Sequence, residues 1–472
     1  MIPRQRRLWL WVALPLLLGL ALRLWFIAAM ARIDGDTLIY GDIARNWLEH
    51  GVYGFTQAGI VPRPTLIRLP GYPLFLAACF RVFGVEHYTA VMCVQCVIDL
   101  LACLLASGLA GRLFGRRAAM ATLWLSALCP FTASYVAAPL TETLSLACIV
   151  LALYGLERWR QTTRGVNRWL WVIVFALAYA LLLRPEQALL AAAVLAAMLC
   201  LALQPAFAES ALHWRTAWPV VLAAVCVLLP LAPWAVRNWR TFHVIQPLAP
   251  RYATDPGEMV PLGFQRWYRT WAIDFGSTED VYWNYDGADI DIDDIPTRAF
   301  DSESQYQQTD ALLADYNRTD NATPALDARF EELADQRIAD DPLRYYVTLP
   351  VARLFNMMFR PRTEMMPIPL DWWRRGTHPG KALFAAAYAA LNLAYFVLGG
   401  IGLWLWRRRR WGGNPALAGA MIGFVVLRCA VLLTLDNSEP RYTLEFFPLI
   451  FILAAVVFVR TSDDRQSTSC RS

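Results

Sequence analysis

Residues 32–73, RIDGDTLIYGDIARNWLEHGVYGFTQAGIVPRPTLIRLPGYP, place acids and arginines close together. Asp34, Asp36 and Asp42 come first, just after an apolar run that ends at Met30. Arg63 and Arg68 follow, the second opening a stiff RLPGYP turn that contains Tyr72. A carboxylate so placed can take the proton of a hydroxyl. Arginines beside it suit a phosphate or pyrophosphate, whose oxygens match the planar guanidinium fork. Held at a membrane surface, the set suits a substrate with a lipid tail and a charged head. The stretch is far longer than an ordinary connector of about 4–6 residues.

Further charged groups sit at the ends of later apolar runs. Glu142 lies in PLTET, Arg184 and Glu186 in LLRPEQ, and Arg237 and Asn238 in PWAVRN. Asp436, Glu439, Arg441 and Tyr442 lie in DNSEPRY. Counting spans puts all of these on the same outer face as the first loop. A charge at the centre of a membrane helix costs roughly 2.5–3.5 kcal/mol on insertion scales, and less at its ends. One such group could simply cap or snorkel. Five connections with such groups on one face point to a shared site.

The positioning elements follow from composition. Of 472 residues, 57% are hydrophobic and only 17% charged, against about 25% charged in soluble domains. The chain therefore reads as all-α and polytopic, with about ten spans of roughly 17–25 residues. They are placed at 8–30, 87–111, 118–137, 141–157, 169–184, 187–204, 217–235, 381–406, 414–435 and 443–460. The segments Pro70–Gly84 and Tyr345–Phe359 are further candidates to dip into the membrane. The basic start MIPRQRR resembles a signal peptide, but the apolar run is long enough to span and no small-residue cleavage site follows. Basic clusters alternate between span ends, which puts both termini in the cytoplasm. Lys381 is the sole lysine, a bias that fits a GC-rich bacterial genome.

Three regions result. Residues 1–237 form an amino-terminal transmembrane module with a catalytic first periplasmic loop, 31–86. A long periplasmic loop, 238–380, joins spans seven and eight. Residues 381–472 hold the last spans and a cytoplasmic tail. Within the long loop, 324–359 has the pattern of amphipathic helices, with Arg353 on the face of one that lies on the outer surface.

Several functions are excluded or disfavoured. No G-x-x-x-x-G-K-[ST] and no G-x-G-x-x-G after a strand occurs, so neither direct ATP-driven transport nor a Rossmann nucleotide-sugar site fits. There is no nucleic-acid footprint. The five histidines are scattered and most of the ten cysteines lie inside apolar runs, where they act as small apolar residues. The acidic run 286–294, DGADIDIDD, lacks the glycine and glutamate of an EF-hand and reads as a solvated loop. No metal ligand is assigned.

The order of motifs resembles the C superfamily of glycosyltransferases, multi-spanning enzymes that use polyprenyl-phosphate sugars. The nearer relatives are bacterial enzymes similar to protein O-mannosyltransferases, the lipid A aminoarabinose transferase and lipopolysaccharide-core sugar transferases. The residues carrying the likeness are DTLIYGDIARNWLEHGVY (36–53), RLPGYPLF (68–75), TET (141–143), LRPE (183–186), PWAVRN (233–238) and EPRY (439–442). The resemblance implies that the acid matching Asp36 is the catalytic base. Here Asp34-Gly35-Asp36 replaces the adjacent Asp-Glu pair of the mannosyltransferases, which argues against a protein mannosyltransferase proper and leaves Asp34 as the alternative base.

The expected site therefore has Asp36, Asp34, Asp42 and Glu142 in the catalytic group. Arg63, Arg68, Tyr72, Arg184, Glu186, Arg237, Asn238, Arg353, Glu439, Arg441 and Tyr442 are expected around the donor phosphate. The expected partners are a polyprenyl-phosphate-linked sugar donor, a glycan, lipid or protein acceptor, and the bilayer of a bacterial inner membrane. No cofactor is required, with a divalent metal on Asp36 and Glu142 as the open alternative. A lipid-linked glycan polymerase or ligase, or a transporter or flippase, are the competing functions. A transporter would carry inverted repeats and broken paired helices, which are not seen in the sequence.

Overall fold

The computed structural model describes residues 4–56, 61–162, 164–203, 213–373 and 378–459. Each of the ten apolar stretches is helical over most of its described length. Seven helices are long and apolar enough to cross a membrane: Trp11–Ala29, Tyr88–Phe114, Pro185–Ala202, Ala217–Phe242, Pro379–Arg408, Pro415–Leu432 and Pro440–Phe458. Arg116–Ala127 and Pro130–Ala137 form a pair bent by 45°, an eighth span if taken together. The bend has a local cause. Pro130 holds Cys129 in an extended conformation, as proline does to the residue before it.

The expected count of ten is thus corrected to seven or eight among the described residues. Arg168–Leu183 has only 16 residues, against about 20 needed to span unaided. Glu142–Arg160 carries Glu142, Glu157, Arg158 and Arg160, too many charges for a simple span. Gly71–Phe83, a candidate to dip, is a helix of 13 residues. The carboxy-terminal tail beyond Val459 and the side chains of the amino-terminal arginines lie outside the described residues.

The chain divides into two compact units. The first is Met1–Pro256 with Ala394–Val426 and Leu444–Ser472; the second is Gly257–Leu393 with Leu427–Thr443.

In the first unit, helix contacts are built from small and branched residues, among them Ala106, Ala110, Ala152, Leu153, Ile173, Leu177, Val194 and Ile452. Small residues let membrane helices approach closely. One ion pair is buried in this bundle. Arg23 Nε donates to Asp99 Oδ2 at 2.7 Å, and Arg23 Nη1 donates to the carbonyls of Gly19 (2.8 Å) and Ala127 (2.7 Å). Arg23 thereby ties three helices together.

The first loop is itself folded. Helix Asp36–His50 ends at Gly51, whose φ of 68° lets its N–H reach the Asn46 carbonyl. A short antiparallel hairpin follows, pairing Gly54–Thr56 with Pro62–Pro64. This hairpin is the one departure from the all-α expectation, and strands this short leave no alternating pattern in the sequence. Asn46 fastens it to the helix: Nδ2 donates to Gly54 O at 2.9 Å and Oδ1 accepts from Thr56 Oγ1 at 3.0 Å. Helix Gly71–Phe83 then docks on Arg168–Leu183. A Cβ on Gly71 would lie 2.6 Å from the Leu182 carbonyl, and Tyr179 Oη donates to Gly71 O at 3.2 Å. The loop is therefore pinned beside the end of the helix that leads into Arg184.

The second unit has an aromatic core of Phe264, Trp267, Tyr268, Trp271, Tyr285, Tyr316 and Phe330. Asp327, in helix Pro324–Asp340, caps helix Leu262–Arg269 by accepting from the Gly263 (3.0 Å) and Phe264 (2.9 Å) N–H groups. The acidic run makes turns: Asp286 accepts from Ala322 N (2.8 Å) and Asp291 from Asp293 N (2.9 Å). Among the described residues no three His, Cys, Asp or Glu side chains are grouped to hold a metal. Helix Leu349–Phe359 buries Leu349, Arg353 and Met357 and leaves Val351 and Phe355 exposed.

The Arg23–Asp99 pair makes a testable statement. Arg23→Ala should cost about 3–5 kcal/mol, because it leaves Asp99 buried and unpaired. The double variant Arg23→Met, Asp99→Leu should be much closer to wild type. Thermal unfolding of detergent-purified protein reads both, and equal losses would mean the pair is not what holds these helices.

Candidate active site

Asp36 opens helix Asp36–His50, and Arg68 comes to it from the far end of the loop. Arg68 Nη2 lies 2.6 Å from Asp36 Oδ1, with both side chains about four-fifths covered. Tyr40 is one helical turn beyond Asp36, hence on the same face, and the Arg68 guanidinium sits over its ring at 5.7 Å. Burial pushes the Tyr40 phenol up to about 12. Arg68 opposes that shift, Asp36 adds to it, and Arg184 and Glu142 contribute in the same opposed way. Tyr40 is thus the point at which the fields of two ion pairs meet. It keeps its proton, and so remains a donor, at neutral pH.

The second pair is a larger knot. Arg184 is extended before Pro185, as proline requires. Its Nε lies 2.9 Å from Glu186, and its Nη1 lies 3.3 Å from Glu142 and 3.8 Å from Glu445. Gln187 Nε2 donates to Glu445 Oε1 at 2.7 Å. Glu142 starts helix Glu142–Arg160, where the helix dipole favours an anion. One guanidinium thus faces three carboxylates, two of them almost fully buried.

Other expected residues have positions that explain them structurally. Tyr72 is fully buried and donates to Gln95 Oε1 at 2.8 Å, its ring edge-on to Tyr40. Asp42 pairs with Arg45, and its Oδ2 accepts from the Thr56 N–H at 2.6 Å, so it anchors the hairpin. Arg45 continues to Glu86 at 2.7 Å. Asp34 is exposed, 3.2 Å from Arg32. Arg63 is exposed on the hairpin, opposite Phe55.

Arg237 is engaged with backbone. Its Nη1 donates to Thr65 O and its Nη2 to Tyr53 O, both at 2.7 Å, and the rings of Tyr53, Trp234 and Phe242 surround it. Asn238 is buried and donates to Gln246 O at 2.8 Å. From the other side, Asp255 Oδ1 accepts from the Leu66 N–H at 2.8 Å. Tyr53 Oη donates to Arg68 O at 2.9 Å. The segment that carries Arg68 is therefore clamped from three directions.

The remaining candidates belong to the second unit. Arg353 is buried and donates to the carbonyls of Arg269 (3.2 Å) and Ala272 (3.0 Å). Burial, with Arg269 adding, lowers its guanidinium to about 10. Arg441 pairs with Glu439, which also accepts from Tyr442 Oη at 2.6 Å. Asp436 pairs with Arg269 at 3.3 Å.

The structure thus brings Asp36, Arg68, Glu142 and Arg184 near Tyr40, with Glu186 against Arg184. Tyr40, Gln187, Asp255 and Glu445 were not anticipated. Tyr40 had a signal, its four-residue spacing from Asp36. Glu445 sits in an otherwise apolar run, and a lone acid there is itself a flag.

Residues 63–236 match the family model described as dolichyl-phosphate-mannose-protein mannosyltransferase. That segment holds Arg63, Arg68, Tyr72, Glu142, Arg184 and Glu186; Asp36 lies upstream of it. The matched segment, less than half of the chain, is thus similar to glycosyltransferases that use a lipid-phosphate sugar donor. No curated protein matches the chain. Among solved structures, it is similar to ArnT from Cupriavidus metallidurans bound to undecaprenyl phosphate, with 15% identity over 95% of this chain and 77% of that one, and a TM-score of 0.41. The apo state of the same enzyme gives 18% identity over 91% and 77%, with a TM-score of 0.38. The Archaeoglobus fulgidus oligosaccharyltransferase tethered with an acceptor peptide gives 13% identity over 98% of this chain, with a TM-score of 0.49. Of that archaeal enzyme the chain spans about half, 51%.

The clamp predicts a backbone effect. Arg237→Lys, which cannot reach both carbonyls, should raise amide hydrogen exchange in residues 62–68 by about tenfold or more, equivalent to losing roughly one hydrogen bond. Unchanged exchange would assign the order of this segment to other contacts.

Proposed function

We propose that the protein transfers a sugar, with inversion, from a polyprenyl-phosphate donor to the hydroxyl of a lipid-linked glycan, lipopolysaccharide or protein. Asp36 is the base. It takes the acceptor's hydroxyl proton while that oxygen bonds to the anomeric carbon. The bond from that carbon to the phosphate oxygen breaks, and the polyprenyl phosphate leaves with the electron pair. The observation that carries the reading is the ion pair of Asp36 with Arg68. Before transfer the two charges cancel. Once Asp36 is protonated, its charge no longer offsets that of Arg68 as negative charge develops on the leaving phosphate. Stabilisation aimed at developing charge is the kind that speeds a reaction. Asp34 supports the base role less well, since it lies exposed against Arg32.

In this reading Arg68 meets the phosphate. Arg237 and Asp42 hold the loop. Glu142 and Arg184 act on the site through Tyr40. Arg353, Glu439, Arg441 and Tyr442, in the second unit, are proposed as further substrate-binding groups. The protein lies in a bacterial inner membrane with its first loop in the periplasm and both termini in the cytoplasm.

Asp36→Asn keeps the shape and removes the base, so transfer from a synthetic polyprenyl-phosphate sugar should fall about a hundredfold or more, with donor binding retained. Asp34→Asn should be mild. If Asp34→Asn is inactive and Asp36→Asn normal, the base moves two residues. If both variants are active, the first loop is not the catalytic centre.

The orientation has its own test. In a cysteine-free background, Asp310→Cys should react with an impermeant thiol reagent in intact spheroplasts and Arg407→Cys only after lysis. The reverse pattern inverts the topology.

A further inference from the structure

Among the described residues, the end of the first unit opposite to the acids of the active site carries more arginine than acid. Arg112, from helix Tyr88–Phe114, donates to Tyr154 Oη and to Gln161 Oε1, both at 3.4 Å, so two helix ends meet. Trp406, near the end of helix Pro379–Arg408, packs 5.3 Å from Phe114 and brings the Arg407–Arg410 run to the same place. Arg158 and Arg168 lie over the Trp169 ring at 4.8 and 5.0 Å, and Arg408 over Trp404 at 3.9 Å.

Across the segments 101–117, 154–170 and 404–416 that build this rim, Glu157 is the sole carboxylate. It is already used. Glu157 is buried and accepts from Arg160 (2.9 and 2.8 Å), from Gln161 (2.6 Å) and from Asn414. Arg112, Arg158, Arg168 and Arg408 rest on rings, and Arg112, Arg116, Arg168, Arg407, Arg408 and Arg410 are exposed. Clustered like charges with no internal counter-charge repel one another unless an external anion answers them.

We propose that this rim is a binding surface for the headgroups of anionic phospholipids. Charge alone would also suit a nucleic acid. The location and the company of the arginines favour lipid. Two of the helices whose ends form the rim, Tyr88–Phe114 and Pro379–Arg408, are long and apolar enough to span, so lipid headgroups abut it. Exposed indoles, Trp404 and Trp171, stand at the same helix ends, as aromatic residues do at headgroup level. Salt-bridge networks inside the bundle are not needed to explain these arginines, because an orientation signal requires only charge near the span ends, not its assembly from several helices onto aromatic supports.

The test uses the full chain purified in a neutral detergent, with phosphatidylglycerol or phosphatidylcholine added in mixed micelles. Phosphatidylglycerol should raise the unfolding temperature, and the effect should weaken with salt. Half-saturation should move up by about fivefold for each arginine removed in the series Arg116→Gln, Arg407→Gln, Arg410→Gln, the factor expected near an anionic surface. If the triple variant does not fold, the single Arg410→Gln variant carries the test, with its lipid-free unfolding temperature as control. Equal stabilisation by phosphatidylcholine, or an unshifted half-saturation in the variants, overturns the proposal. Tighter binding of a mixed-sequence single-stranded oligonucleotide than of phosphatidylglycerol would assign the surface to nucleic acid instead.

Discussion

A charge brought to the edge of a bilayer must be answered by another, and the first unit is arranged around that requirement. Asp36 is answered by Arg68, Asp42 by Arg45, Asp99 by Arg23 and Glu157 by Arg160. Each pair joins segments that are distant in the chain or neighbouring turns that need fixing. The deepest, Arg23–Asp99, has both side chains excluded from water. It therefore tolerates no loss of one partner, since an isolated buried charge costs several kcal/mol. The pairs nearer the surface are freer to change partner, which is what a transfer reaction needs.

The geometry at Asp36 depends on backbone contacts more than on the ion pair itself. Arg68 is reached only because Thr65 and Leu66 are held by Arg237 and Asp255, and because Tyr53 holds the Arg68 carbonyl. Arg237 illustrates a general ambiguity of arginine in membrane enzymes. The same planar fork that suits a phosphate also suits two carbonyls 2.7 Å away. In the proposed mechanism the loss of Arg237 would act through Arg68, by displacing it from both Asp36 and the phosphate.

Sequence patterning made much of this legible. Apolar run length located every membrane helix, because a bilayer imposes a length and an apolar character that few other structures share. It could not count spans reliably where a proline bends a run, as at Pro130, or where charges intrude, as in Glu142–Arg160. The grouping of Asp36 with Arg68, and of Glu142 with Arg184 and Glu186, followed from topology, since helix ends on one face must lie within reach. Which arginine meets which acid did not follow. That choice rests on the hairpin Gly54–Thr56 and Pro62–Pro64 and on its tether to Asn46, features too short to leave a periodic signal. The core of the long polar segment was not legible: its aromatic residues, Phe264, Trp267, Tyr285 and Phe330 among them, pack together, while the aspartates of the acidic run are solvated, as its composition implies.

The two arginines nearest Tyr40 are not equivalent, and the difference decides where a phosphate can settle. Arg68 pairs with Asp36, while Arg184 faces Glu142, Glu186 and Glu445. At about 4 Å and an effective dielectric constant of 20, each unit-charge interaction is worth about 4 kcal/mol. A phosphate approaching Arg184 would meet one attraction and up to three repulsions. A phosphate approaching Arg68 would meet its attraction and the repulsion of Asp36, and that repulsion disappears when Asp36 takes its proton. The knot at Arg184 therefore works as a negative wall. In the proposed mechanism it keeps the donor's phosphate on the Arg68 side of Tyr40 and leaves the opposite side for the sugar hydroxyls, which carboxylates bind as acceptors of their protons.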